Sequence, residues 1–394
     1  MLFNFGNRQH LNFCRYKVTD LANGVVEFWD FVLREPFGRN VSHLWESEQI
    51  TLNWFVPPLS KHSGGHINLF RFMLGLEQRG FQIRVVIAND AMVNPCVATN
   101  VELLQNINDW YGPFNGGVYH DNDDIPPCHF AFATGWQSAY AVKAFRGALY
   151  RYYFVQDFEP YFYPVSSEYV FAEDTYRFGF TGITAGGWLA DKLRTEYGMR
   201  THAVGFSYDR NLYTPRARNS ELRHLFCYVR PDTPRRAWDL TALTLAEFHK
   251  KRPDVGLVLA GGSIDIAALP FPAFAPGAVA QTELPDLYSQ CDVALVPSLT
   301  NLSLLPLELM ACGVPVVSNS GPNVEWLLNA GNASVMPANP RDLSDELVRI
   351  LDLPPVEYGA LRSRSMAFAA STDWERECDK VADILNVAVG RMTA

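Results

Sequence analysis

Four short stretches of this chain hold side chains able to grip an anion or move a proton. Ser63-Gly64-Gly65-His66 follows an apolar run and opens a helical pattern. Glycines there let a ligand approach the backbone and leave helix N–H groups for an anion or a sugar oxygen. Gln156-Asp157-Phe158-Glu159-Pro160 closes an aromatic run with an amide and two carboxylates, a set suited to sugar hydroxyls or proton transfer. Arg230 ends another run, and Arg235 and Arg236 follow as the next helix begins. Guanidinium forks at positions 230 and 236 converge on one diphosphate, whose oxygens match their geometry. In the fourth stretch, Thr300-Asn301-Leu302-Ser303 forms a polar turn, and Pro306 is tolerated because it falls in a first helical turn. Glu308 then lies one turn in, placed to accept from a ribose hydroxyl while the N–H groups of the turn hold phosphate.

These residues need a scaffold that gathers strand ends, and the hydrophobic pattern supplies one. From about residue 50, β-branched or aromatic runs alternate with helical spacing, the pattern of βαβ units with right-handed crossovers. Strands are predicted at 50–58, 81–90, 127–135, 149–157 and 181–186, then at 223–231, 255–262, 293–299 and 314–320. Helices are predicted at 64–80, 136–145 and 188–197. A polar, turn-rich stretch at 206–220 separates two α/β halves. The expected organisation is an N-terminal extension (1–48), a first Rossmann-like domain (49–207), a second (208–368) and a C-terminal helix (369–394). Within the extension, 25–39 is predicted as one amphipathic aromatic helix outside the sheet. Two doubly wound sheets facing each other place a shared site in the cleft between their strand ends.

Composition excludes several classes. The 394 residues, with 48% hydrophobic and 19% charged, are too apolar for a disordered chain and long enough for two domains. A formal charge of −9 without an extended basic run argues against nucleic acid as a partner. The seven cysteines are scattered without metal spacing, which fits buried thiols in a reducing compartment. No apolar run reaches the length of a membrane span, and MLFNFGNRQH has no cationic start followed by an apolar block. The expectation is a cytoplasmic protein.

The stretch LPLELMACGVPVVSNSGPNVEWLLNAGNASVMPANPRDLSDELVRIL (305–351), with LPDLYSQCDVALVPS (284–298) before it, resembles the nucleotide-sugar half of family-4 glycosyltransferases with the GT-B fold. Arg230 and Arg236 resemble that family's Arg and Lys diphosphate clamp, and Glu308 its ribose-binding glutamate. Thr300 stands where the family places a glutamate against the transferred sugar, and Asn301-Leu302-Ser303 replaces its Gly-Phe-Gly. A hydroxyl in place of a carboxylate suggests a less polar sugar such as a 6-deoxyhexose. SGGHINLFRFMLGLEQRG, YYFVQDFEPYFYP, AEDTYRFGFTGITAGGWLA and SLTNLSLLPLELMACG resemble bacterial rhamnosyltransferases that build S-layer glycans.

The resemblance implies a dTDP-rhamnose donor, a retaining and metal-independent transfer, and a C-terminal helix that returns to the first domain. It implies that Arg230, Arg236 and the turn from Thr300 to Ser303 hold the donor, with 277–279 against the base. Asp157, Glu159, His66, Gly64 and Gly65 position acceptor and sugar, and Asp157 is the base should the reaction invert. No cofactor or metal is called for. Asp121-Asn122-Asp123 has the D-x-D spacing of metal anchors in another glycosyltransferase fold but reads here as a solvated loop, with His120 beside it. The expected acceptor is a growing, lipid-linked glycan. That brings peripheral contact with the inner membrane face, through Phe28, Trp29 and Phe31. A non-catalytic nucleotide-sugar or glycan binding protein of the same fold is the alternative.

Overall fold

The computed structural model describes residues 24–26, 28–61, 63–88, 98–219 and 221–390. Its first half is a sheet of seven parallel strands: β1 (Thr51–Val56), β2 (Gln82–Ile87), β3 (Gly117–His120), β4 (Cys128–Ala133), β5 (Ala148–Val155), β6 (Thr181–Ala185) and β7 (Arg200–Val204). They lie in the order β3-β2-β1-β4-β5-β6-β7. Every residue of β1 and β4 is buried, because a parallel sheet carries its crossover helices on both faces. Those helices are α1 (Gly64–Gln78), α2 (Asn100–Tyr111), α3 (Trp136–Ala144), α4 (Ser167–Asp174) and α5 (Gly187–Tyr197). Their starts are capped locally. Ser63 accepts from the His66 amide, and Thr99 with Glu102 forms a reciprocal capping box.

The second half holds six parallel strands in the order β10-β9-β8-β11-β12-β13. They are β8 (His224–Val229), β9 (Gly256–Gly261), β10 (Phe274–Gly277), β11 (Val293–Leu295), β12 (Val316–Asn319) and β13 (Ser334–Met336). Helices α6 (Trp238–Lys251), α7 (Leu284–Ser289), α8 (Leu305–Ala311), α9 (Pro322–Glu325) and α10 (Pro340–Leu351) accompany them, followed by α11 (Pro355–Ser371) and α12 (Trp374–Ala388). Leu343, Leu347 and Ile350 fill one face of α10 at helical spacing and are fully buried. Each such side chain contributes about 1.5–3 kcal/mol. Both sheets reverse their strand order in the middle, at β1/β4 and at β8/β11. Ligands in open α/β sheets bind at such reversals, beyond the carboxyl ends of the strands.

This is the two-sheet α/β architecture expected from the pattern. α12 lies along α1, where Arg79 pairs with Asp379 at 2.7 Å and Glu375 at 2.9 Å. Gly75 permits the approach, since a Cβ there would sit 2.5 Å from the Cys378 sulfur. Glu377, buried in α12, accepts from the Gly205 amide at 2.7 Å. Cys128, Cys227, Cys291, Cys312 and Cys378 are buried and unpaired. Cys14 and Cys96 lie outside the described residues, as do 89–90 of the strand predicted at 81–90.

Two local expectations fail. The single helix at 25–39 is instead helical at 24–26 and 28, then a 3-10 turn at Asp30–Leu33, and Phe37 bridges to Phe145 as extended chain. Pro36 drives its predecessor out of helical backbone, which ends any helix there. The strands β3, β7, β10 and β13 escaped the pattern. All four are at or beside sheet edges, where partial exposure removes the continuous apolar signature, and β10 also contains Pro276.

Candidate functional site

The turn after β8 carries three guanidinium groups. Arg230 is exposed at the strand end. Arg236 Nη1 donates to Ser298 Oγ at 3.3 Å, so it faces the loop after β11. Arg235 crosses to the first half, its Cζ 4.0 Å from the Phe162 ring centroid. Its Nε is buried without a partner. Burial, and then the Arg236 charge, disfavour its protonated form, while Asp157 supports it. Among the described residues, none of the three joins a salt bridge. The turn ends at Ala237, the one described non-glycine residue with positive φ, at 53°, a conformation that costs an L-residue about 1–2 kcal/mol.

The loop from β11 to α8 faces that turn. Thr300 and Asn301 are almost fully buried, at 1% and 2% exposure, and both point into the first half. Thr300 Oγ1 donates to Asp157 Oδ2 at 2.8 Å, and the Asn301 amide to Asp157 Oδ1 at 2.9 Å. Asn301 Nδ2 donates to the carbonyls of Gln156 and Ala185, each at 2.9 Å, and its Oδ1 accepts from Trp326 Nε1 at 2.7 Å. Leu302 is buried and Ser303 half-buried. Among the described residues no acceptor meets their amides.

Glu308 sits in the first turn of α8, beside Tyr213. Burial raises its carboxyl to about 7, against the pull of Tyr213 and of Arg71, which reaches over from α1. Arg71 also approaches Asp209 at 3.5 Å and lies over the Trp374 ring. Gly277 and Val279 are half-buried and Ala278 exposed at the end of β10.

On the first half, Gly64, Gly65 and His66 open α1 beyond β1. Gln156 Nε2 donates to the Gly65 carbonyl at 3.2 Å, tying this turn to the end of β5. His66 Nε2 lies 3.3 Å from the Pro57 carbonyl, which only accepts, so Nε2 carries the hydrogen. Its Nδ1 lone pair is buried without a partner, as is Asn68 Oδ1 on the same helix. Burial lowers the His66 pKa, leaving a neutral imidazole.

Two of the expected carboxylates are engaged by protein donors. Asp157 accepts from Thr300, Asn301 and the Phe158 amide. It therefore serves as an internal acceptor joining the halves instead of turning toward a substrate. Burial raises its pKa despite those donors and Arg236. Glu159 Oε2 accepts from the Trp136 amide at 2.6 Å and so closes the start of α3. Burial pushes its carboxyl up to about 8. Thr300 and Asn301, expected at the donor, likewise bond to protein groups here. The D-x-D triplet is likewise spent on its loop. Asp121 pairs with Arg34 at 2.7 Å, and Asp123 accepts from the His120 amide and Asn100. Among the described residues no three His, Cys, Asp or Glu side chains group as metal ligands.

Thus Arg230, Arg236, Ser303 and Glu308 follow the ends of β8 and β11 in the second half, and Gly64, Gly65 and His66 follow the end of β1 in the first. Residue patterns missed the crossing of Arg235 to Phe162, the Arg71 and Tyr213 neighbours of Glu308, and Trp326 behind Asn301. The one available signal was a buried-type tryptophan in the polar stretch after β12.

Residues 224–353 match the family described as "Glycosyl transferases group 1", and 130–185 match "WsaF, N-terminal domain". Over 381 residues the chain is 34% identical to the O-antigen biosynthesis protein RfbC of Myxococcus xanthus. That alignment takes in 90% of this chain and 29% of the relative's length. Among solved structures, sucrose-phosphate synthase from Thermosynechococcus elongatus superposes with a TM-score of 0.66 at 14% identity, over 87% of this chain and all of that one. HepE from Anabaena, in complex with UDP-glucose, gives 0.64 at 15% over 86% of this chain and all of that one. The pneumococcal O-GlcNAc transferase GtfA, with UDP and GlcNAc, gives 0.64 at 10% over 87% of this chain and all of that one. The shared fold is GT-B.

Proposed function

We propose that this chain, which carries a group 1 glycosyltransferase domain at 224–353 within a GT-B fold, moves a sugar from a nucleoside diphosphate to a growing glycan. The donor in this reading is dTDP-rhamnose. The observation that carries it is the group of three guanidinium ions after β8, none of which joins a salt bridge among the described residues, while Asp157, the carboxylate that acts on Arg235, is committed to other donors. Such a turn leaves its guanidinium groups without an ion-pair partner, and a diphosphate supplies one between the two halves.

Breaking the bond from sugar to diphosphate leaves negative charge on phosphate oxygens. Arg230, Arg235 and Arg236, with the free amides of Leu302 and Ser303, meet that charge as it grows. Glu308 accepts from a ribose hydroxyl once ionised. The Gly64-Gly65 turn, with the neutral His66 ring buried behind it, faces the sugar. With Asp157 and Glu159 engaged inside the protein, the reaction proceeds by same-face attack. A leaving phosphate oxygen takes the acceptor proton, the anomeric configuration is retained, and no metal is required. Thr300, turned away from the cleft, leaves its sugar-facing side without a carboxylate, which supports a deoxy sugar.

The acceptor in this reading is a lipid-linked glycan. Trp29 packs against Trp136 and Phe171, while Val26 and Leu33 remain 76% and 73% exposed. That apolar edge supports peripheral contact with a membrane in a cytoplasmic protein. No described helix is long and apolar enough to cross one.

Calorimetric titration with a panel of nucleotide sugars tests the proposal, followed by nucleotide release in the presence of rhamnan acceptors. Tightest binding of dTDP-rhamnose with acceptor-dependent release is expected. Equal affinity for every nucleotide sugar refutes the rhamnose assignment, and binding without release refutes transfer.

A further inference from the structure

We propose that Asp157, Thr300 and Asn301 are positioning residues that rivet the two halves together and confine opening of the cleft to the rim between β1 and β8. The role assigned to the riveted turn rests on the donor reading above.

Four hydrogen bonds cross between the halves at this point. Thr300 Oγ1 and the Asn301 amide donate to the two oxygens of Asp157, and Asn301 Nδ2 donates to the carbonyls of Gln156 and Ala185. Asn301 thereby engages the ends of β5 and β6 at once. Its remaining oxygen accepts from Trp326, so the amide side chain is saturated and cannot rotate. Trp326 in turn covers Gly186, where a Cβ would stand 2.4 Å from the indole. With no side chain at 186, the second half settles directly onto the end of β6. The bonds are dry, which strengthens each and makes an unpaired partner costly.

Across the cleft the arrangement differs. Among the described residues the loops after β1 and β8 share no hydrogen bond, and Arg230 is exposed. Opening at the β5/β6 side requires stripping a buried carboxylate of its donors, whereas opening at the β1/β8 side breaks no hydrogen bond among the described residues and only draws Arg235 off the Phe162 ring. A ligand therefore enters from the latter side, and the turn presenting Leu302 and Ser303 stays fixed as it does so.

Small-angle scattering tests the rivet without any ligand. Thr300→Val combined with Asn301→Leu should enlarge the radius of gyration and broaden the distance distribution. Thr300→Ser, which restores the hydroxyl, should scatter like the wild type. In parallel, calorimetry with dTDP should show affinity reduced about tenfold or more in the double variant, with circular dichroism unchanged. Weaker dTDP binding with unchanged scattering overturns the rivet, because the residues would then touch ligand. Unchanged scattering and unchanged binding overturn it as well. Should the wild type bind no nucleotide, the donor reading fails, while scattering still decides the rivet.

Discussion

Glu308 offers a quantitative check on the donor site through pH. Burial raises its carboxyl to about 7, with Arg71 and Tyr213 pulling down and Asp209 pushing up. If the ionised form accepts a ribose hydroxyl, affinity follows the ionised fraction. That fraction rises from roughly one-tenth at pH 6 to nine-tenths at pH 8, so donor affinity should climb nearly tenfold. A nucleotide sugar suits this measurement because its diphosphate is esterified at both ends and does not titrate there. Calorimetry in two buffers of different ionisation enthalpy should also report a proton released near pH 6.5. Glu308→Gln should bind weakly and flatten the curve. Stability moves the opposite way. Between the unfolded pKa of 4.5 and about 7 the folded state holds the extra proton, so stability falls as pH rises across that window. The loss is up to about 3 kcal/mol, and it should vanish in Glu308→Gln. A Gln variant with the wild-type pH slope in binding refutes Glu308 as the ribose acceptor.

Arg236→Ala should lower nucleotide affinity tenfold to about a hundredfold, the worth of one charge-assisted hydrogen bond, and leave the melting temperature unchanged; unaltered calorimetric affinity removes the clamp. Gly186→Ala places a methyl 2.4 Å from Trp326 on backbone with φ +86°. Overpacking together with a left-handed residue should destabilise by about 2–5 kcal/mol in urea titration, and a wild-type midpoint would show that the halves separate freely there. Glu159→Gln should keep turnover within about twofold and leave the melting temperature at neutral pH unmoved. The carboxyl titrating near 8 is already protonated there and only accepts from Trp136. A large loss of kcat would restore it as a proton donor.

Much of the scaffold was legible because it depends on short-range pattern. Buried runs such as those of β1, β4 and β8 and the helical spacing of α1, α3 and α5 are set by which residues must leave water, and by local backbone geometry. The placement of residues on single turns was legible for the same reason. Arg230, Arg236 and Glu308 lie just past strand ends, and strand ends are where doubly wound sheets meet ligands. Edge strands such as β7 and β13 were not, since half-exposed residues carry no periodic signal.

The type of each group near the cleft was thus determined by the sequence, and its partner only by tertiary structure. Asp157 reads as an available carboxylate until the loop at 300–301, more than a hundred residues away, delivers two donors to it. Arg235 reads as one more surface arginine until Phe162 comes beneath it. A side chain's chemistry depends on its hydration and on the charges beside it, and both come from chain segments whose contact no local pattern encodes.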